Sequence, residues 1–216
     1  MTTHDRTKPI PPPLTLTDRI RALTATVTQT CGSAVHRAGI HPDTITIAGL
    51  GLVLVASGVI AAGYLQAGAV LLLLGLPLDA LDGAVARAMQ RRDSFGALLD
   101  STLDRYADAF IFAGLGYHFA VQDRFDLLLL TLAALIGSYS VSYVRARAEG
   151  LGVPVKIGWF SRLERVGIVL VMLLVPGLLT VGLVVLAVGT NLTGLQRLWF
   201  VYKTLAFNQA TQQRED

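Results

Sequence analysis

Charge is what this chain has least of: only 15% of its 216 residues are Asp, Glu, Lys or Arg, against roughly a quarter in soluble domains. Together with 53% hydrophobic residues and a mean hydropathy of +0.56, that scarcity excludes an ordinary water-soluble domain and points to a single-domain membrane protein. Cysteine is nearly missing as well. The lone Cys31 excludes an intrachain disulfide, argues against a cysteine-based metal site, and is given no role here. The opening residues do not read as a secretory leader, because Pro9, Pro11, Pro12 and Pro13 precede a polar, Thr-rich stretch where an apolar core would stand. A net charge of +3 is too small to imply nucleic acid as a partner. In a membrane protein the placement of those charges carries more information than their sum.

What the chain does have is long apolar runs. Residues 1–14 read as a disordered, proline-broken tail. Over 15–39, Leu16, Ile20, Leu23, Val27, Ala34 and Val35 recur at helical spacing among Asp18, Arg19, Arg21, Gln29 and Arg37. That pattern predicts an amphipathic helix too polar to cross a bilayer and suited to its interface. A crossing helix needs ~20 mostly apolar residues. The stretches 44–65, 67–91, 95–121, 125–147, 165–179 and 181–202 each approach that length, the fifth being interrupted by Pro176-Gly177. The expected fold is all-α: a polytopic bundle of six transmembrane helices over 40–205, preceded by the interfacial helix and followed by a polar tail over 206–216.

Basic residues orient this bundle. Arg91, Arg92, Lys156, Arg162, Arg197 and Lys203 fall on one side, with Arg6, Lys8, Arg19, Arg21 and Arg37 ahead of the first span, while the connections on the other side are short and nearly uncharged. The positive-inside rule then places both termini in the cytoplasm of a cell-membrane protein.

The acids of the second and third apolar stretches are the candidate site. Asp79 and Asp82 are three residues apart and Asp100 and Asp104 four apart, so each pair shares a helix face. Asp82 and Asp104 are equally far in sequence from Asp93. Two antiparallel helices folding back there would bring the carboxylates to one depth, on the order of 15 Å from the turn. A central Asp costs ~2.5–3.5 kcal/mol to insert, so four uncompensated ones would total ~10 kcal/mol or more. Bound hard cations, or ion pairs with Arg87 and Arg105, would compensate. Two arginines cannot neutralise four acids, and oxygen-only ligands favour Mg²⁺ or Mn²⁺ over zinc. The competing reading is a set of titrating acids lining an ion or proton transport path.

The full pattern is Asp79-x2-Asp82-Gly83-x2-Ala86-Arg87 followed by Gly96-x3-Asp100-x3-Asp104. It resembles the signature of the CDP-alcohol phosphotransferase family at every specified position, and the likeness extends to the spans and the leading helix. The resemblance implies a transferase of phospholipid biosynthesis. Asp79, Asp82, Asp100 and Asp104 would hold two divalent ions and Asp104 would act as general base. Gly83, Ala86 and Arg87, together with Pro42, Asp43 and Thr44 at the entry to the first span, would face the nucleotide. Helix capping alone also accounts for Asp43 or Thr44. Asp108, one turn beyond the motif on the same face, is read as a supporting or structural acid. The family likeness further implies a homodimer.

Arginines gather where an acceptor would enter. Ser142-Tyr143-Val144-Arg145-Ala146-Arg147-Ala148-Glu149 is similar to the phosphatidylinositol-phosphate synthase branch of the family, with Arg145 in place of a lysine and Ser161 in place of an acid. By that likeness Ser142, Arg145, Arg147, Arg162 and Arg197 would bind the phosphate of the acceptor. Guanidinium groups do this with two parallel hydrogen bonds, although basic residues at a membrane face are also expected from topology alone. Inositol 1-phosphate is the favoured acceptor, taking a phosphatidyl group from CDP-diacylglycerol with release of CMP, and glycerol 3-phosphate is the competitor.

Overall fold

The computed structural model describes residues 41–75 and 94–215. Within them the chain forms six helices and no strand: α1 Pro42–Ala61, α2 Leu65–Gly75, α3 Ser94–Val121, α4 Phe125–Glu149, α5 Arg162–Leu174 and α6 Leu179–Glu215. The expected interfacial helix over 15–39, and the segment carrying Asp79, Asp82, Gly83, Ala86, Arg87 and Asp93, lie outside the described residues.

Turn chemistry sets the path. Pro42 opens α1, where a missing N–H removes no helical bond, and Asp43 adds a negative charge to the first turn. Gly63, at φ 94°, turns the chain from α1 into α2. Between α3 and α4 the corner at Asp123 is closed by Arg124, which grips Asp126 through two bonds of 3.0 and 2.8 Å.

Packing relies on small residues, as expected where lipid removes most of the hydrophobic drive for helices to associate. A Cβ at Gly114 of α3 would lie 2.5 Å from the Ser57 carbonyl oxygen of α1. At Gly137 of α4 it would lie 2.7 Å from the Asn191 amide of α6. Asn191 donates to the Ala133 carbonyl at 2.9 Å, so α4 and α6 are also tied by a hydrogen bond. Ile60, Leu115, Phe119, Leu173, Leu183 and Leu186 fill the core between the helices. The buried hydroxyls of Thr131, Thr190 and Thr193 bond back to the carbonyls of the preceding turn. Leu54, Leu129, Ile136, Val181, Leu192 and Leu195 point outward, and a hydrocarbon surround accounts for so much exposed apolar surface.

The count of spans needs correction. Three helices, not six, are long and apolar enough to cross a membrane among the described residues: Asp43–Ala61, Phe125–Glu149 and Leu179–Asn208. They make this a polytopic membrane protein. Helix α3 has the length, at 28 residues, but it carries Asp100, Asp104, Arg105 and Asp108. Helix α5 has only 13 residues before the chain breaks at Pro176-Gly177; at ~1.5 Å per residue it covers about 20 Å of a ~30 Å hydrocarbon layer. Helix α2 is described over Leu65–Gly75 only, a short apolar helix. Apolar composition was the visible signal in the sequence. The charges on α3 and the break at Pro176-Gly177 both stand in the sequence, and the six-span expectation counts those stretches in spite of them.

Candidate active site

Helices α1, α3 and α5 wall one cleft and run in the same direction along it. Its mouth is lined by Thr46 of α1, Asp104 and Asp108 of α3, and Arg162 and Arg165 of α5; its inner wall by Val53, Phe112 and Leu170. One cleft is therefore polar at one end and hydrocarbon at the other.

Asp100 and Asp104 sit one turn apart on α3. Asp100 is exposed and Asp104 half-buried. The Arg162 guanidinium lies 2.7 Å from the Asp104 carboxylate. One turn further in, Arg165 donates to Asp108 at 2.9 Å, and this inner pair is almost fully enclosed. The two ion pairs run in step, because acids four apart on α3 meet arginines three apart on α5. Tyr139 of α4 donates its hydroxyl to the Arg105 carbonyl at 3.0 Å, holding α4 against the acid-bearing stretch of α3.

The start of α5 is built locally. Ser161 stands at the N-cap in extended conformation, its carbonyl accepting from the Arg165 N–H and its hydroxyl donating to the Glu164 carboxylate. Glu164 supplies negative charge to the first turn, which complements the helix dipole. Arg162 and Arg165 leave that turn on the side facing α3.

The other arginines take separate positions. Arg145 pairs with Glu149 along α4 at 2.9 Å, Arg147 is exposed, and Ser142 is half-buried. Arg197 is buried and binds main chain: Nε donates to the Ile157 carbonyl at 2.8 Å and Nη1 to the Val141 carbonyl at 2.9 Å. It thereby ties α6 to α4 and to the link over 150–161. Gly158, at φ 129°, passes so close that a Cβ would stand 2.9 Å from the Arg197 Nε. Arg145 and Arg165 are near enough to Arg197 for their charges to be felt there, as are Glu149 and Glu164. At the entry to α1, Asp43 lies 3.4 Å from the His41 ring and Thr44 donates its N–H to the His41 carbonyl.

The structure thus joins Asp104 to Arg162 and keeps Arg197 on carbonyls. Sequence reasoning gave no role to Arg165, whose signal was its place three residues after Arg162, matching Asp108 four after Asp104. As a metal site, Asp100 and Asp104 offer carboxylate oxygens alone, the donor set of a hard divalent ion. Among the described residues no three His, Cys, Asp or Glu side chains gather into a metal-binding group, and the other two motif carboxylates, Asp79 and Asp82, fall outside them.

Comparison with known proteins places this geometry. Residues 39–199 match the family model of CDP-alcohol phosphatidyltransferase. The chain is 38% identical to phosphatidylinositol phosphate synthase of Cutibacterium acnes over 167 residues, covering 76% of this chain and 81% of that protein. It is 39% identical to archaetidylinositol phosphate synthase of Methanothermobacter thermautotrophicus over 174 residues, 78% of this chain and 87% of that one. The crystal structure of Mycobacterium tuberculosis phosphatidylinositol phosphate synthase with CDP-DAG bound superposes with a TM-score of 0.77 at 35% identity, over 82% of this chain and 94% of that one. The same protein in complex with manganese and citrate gives 0.75 at 35% identity, over 81% and 88%.

Proposed function

Because this chain belongs to the CDP-alcohol phosphatidyltransferase family and is a transferase of that type, we propose that it moves a phosphatidyl group from CDP-diacylglycerol to inositol 1-phosphate, releasing CMP. The observation that carries this reading is the cleft with Asp104 and Arg162 at its mouth and Val53, Phe112 and Leu170 along its inner wall. A CDP-linked lipid has the same division, an anionic head and hydrocarbon tails.

In this reading Asp79, Asp82, Asp100 and Asp104 hold two divalent ions, Mg²⁺ or Mn²⁺. When bound, such ions neutralise the pyrophosphate and favour in-line displacement at phosphorus. Asp104 removes the proton from the acceptor hydroxyl. Gly83, Ala86 and Arg87 face the nucleotide, and Pro42, Asp43 and Thr44 close that side from the first turn of α1. Arg162, Ser142, Arg145 and Arg147 bind the acceptor phosphate, while Arg197 braces the pocket from behind through the Val141 and Ile157 carbonyls. The site end of the bundle, where α1 begins and α6 finishes and where Arg145, Arg147, Lys156 and Lys203 gather, faces the cytoplasm of the cell membrane. The working unit is a homodimer, following the family likeness.

Glycerol 3-phosphate presents the same phosphate and hydroxyl, so one assay decides the acceptor. Purified protein is given CDP-diacylglycerol, Mg²⁺ or Mn²⁺, and each candidate in turn. CMP release with inositol 1-phosphate alone is the expected result. Release with glycerol 3-phosphate instead would reassign the acceptor, and no release with any acceptor would overturn the reading.

A further inference from the structure

From a groove between α5 and α6 that is apolar along its length and ends at a carboxylate, we propose a lipid site separate from the cleft. It holds an acyl chain of a membrane lipid whose headgroup carries an ammonium, and Glu164 receives that ammonium. Helix α5 thus has two built faces. Arg162, Arg165, Val166 and Val169 line the cleft. Glu164, Gly167, Ile168 and Val171, at the same three- and four-residue spacing, line the groove on the opposite face.

Three features of the groove identify its occupant. The first is size and depth. Val181 and Val185 of α6 form the facing wall, and Leu178, beside the Pro176-Gly177 turn, forms the foot. The volume is about 510 Å³, within the ~300–1,000 Å³ of sites that hold small molecules. Helix α5 rises only about 20 Å from Arg162 to Leu174. With its mouth at headgroup level, the groove therefore has its foot inside a ~30 Å hydrocarbon layer. A chain lying there has its head at the site end of the bundle and its tail toward the membrane middle. Second, the groove is preformed. On one side of Val185, a Cβ on Gly182 would lie 2.5 Å from the Met172 Cβ; on the other, one on Gly189 would lie 2.3 Å from the Phe160 ring. Because α6 is already in contact at both points, the helices cannot close on the gap between them, and Val171, Val181 and Val185 stay exposed beside it. Third, the mouth selects a charge. Among the described residues no Lys, Arg or His pairs with Glu164, whose carboxylate accepts from the Ser161 hydroxyl. A carboxylate has about four acceptor positions, so most of Glu164 is left for a ligand. An ammonium beside it gains a charge-assisted hydrogen bond, whereas a headgroup that carries phosphate alone meets like charge. An anionic lipid is disfavoured here and suited to the arginine-lined cleft. Trp159, exposed at the mouth, adds the amphipathic ring common at a membrane–water boundary.

The test is lipid retention by the purified full chain, delipidated in detergent and then offered dioleoyl phosphatidylethanolamine or dioleoyl phosphatidylglycerol. Bound lipid is counted by native mass spectrometry, with the melting temperature measured alongside. The wild type is expected to hold phosphatidylethanolamine about tenfold more tightly than phosphatidylglycerol, the scale of one charge-assisted contact, and to melt higher with it. Glu164→Gln should erase that preference. Gly167→Phe sends a ring into the groove from a position where a Cβ meets nothing within 4 Å. It should abolish retention of phosphatidylethanolamine while CDP-diacylglycerol is still bound, because the cleft lies on the other face of α5. If that variant fails to fold or loses both lipids, Val185→Trp fills the groove from α6 in its place. Equal retention of the two lipids by the wild type, a preference unchanged in Glu164→Gln, or phosphatidylethanolamine kept after the groove is filled would each overturn the proposal.

Discussion

Asp104 of α3 and Arg162 of α5, far apart in sequence, meet at 2.7 Å at the mouth of a cleft whose inner wall is hydrocarbon. In the proposed reaction this contact would put the proton acceptor beside the cation that binds the acceptor phosphate. Asp104→Asn tests the acceptor half. Asn keeps the shape and a carbonyl oxygen for Arg162 but cannot take a proton. Turnover should fall by about a hundredfold or more. Thermal stability should stay near wild type, since a partly exposed ion pair contributes about 1 kcal/mol or less. CMP release within twofold of wild type would remove Asp104 as the base.

Divalent metal should be required and interchangeable within one class. Chelation with EDTA is expected to abolish CMP release, and Mg²⁺ or Mn²⁺ to restore it, because carboxylate oxygens select hard ions. Recovery with Zn²⁺ alone would contradict the donor set of Asp100 and Asp104. Full activity in excess chelator would contradict the metal assignment itself.

How much of this was legible in the sequence depends on how far apart the partners lie. The acids could be grouped because Asp100 and Asp104 share a helix face, which spacing alone reveals. The pairing of Asp104 with Arg162 could not be read, since nothing local says which helix α5 packs against. Arg197 shows the other limit. Its placement near a basic vestibule suggests a phosphate ligand, and only the fold shows that its Nε and Nη1 hold the Ile157 and Val141 carbonyls. Span counting went wrong for a related reason: hydropathy measures composition, whereas crossing also needs unbroken length, which α5 loses at Pro176-Gly177.

Close helix approach makes a separate prediction about stability. Alanine at Gly114 would push a methyl group to within 2.5 Å of the Ser57 carbonyl oxygen, a main-chain atom that cannot rotate away. Helices α1 and α3 would have to separate, at a cost of about 1–3 kcal/mol from overpacking. The detergent-solubilised variant should melt several degrees lower than wild type. Gly167→Ala, where a Cβ meets nothing within 4 Å, is the control and should melt with wild type.

Arg197→Lys separates a brace from a ligand. Lysine keeps the positive charge, so a residue that simply attracts phosphate would tolerate the change with a modest rise in acceptor KM. A brace would not. Arg197 spans two carbonyls on different segments through the fixed fork of its guanidinium, and a single ammonium on a flexible stem does not reproduce that geometry. One buried carbonyl is left without its donor, which costs about 1–3 kcal/mol. The expected result is a lower melting temperature and faster proteolysis of the 150–161 link, with the acceptor KM of the folded enzyme rising less than in Arg162→Lys. An unchanged melting temperature with a tenfold rise in acceptor KM would return Arg197 to the phosphate pocket.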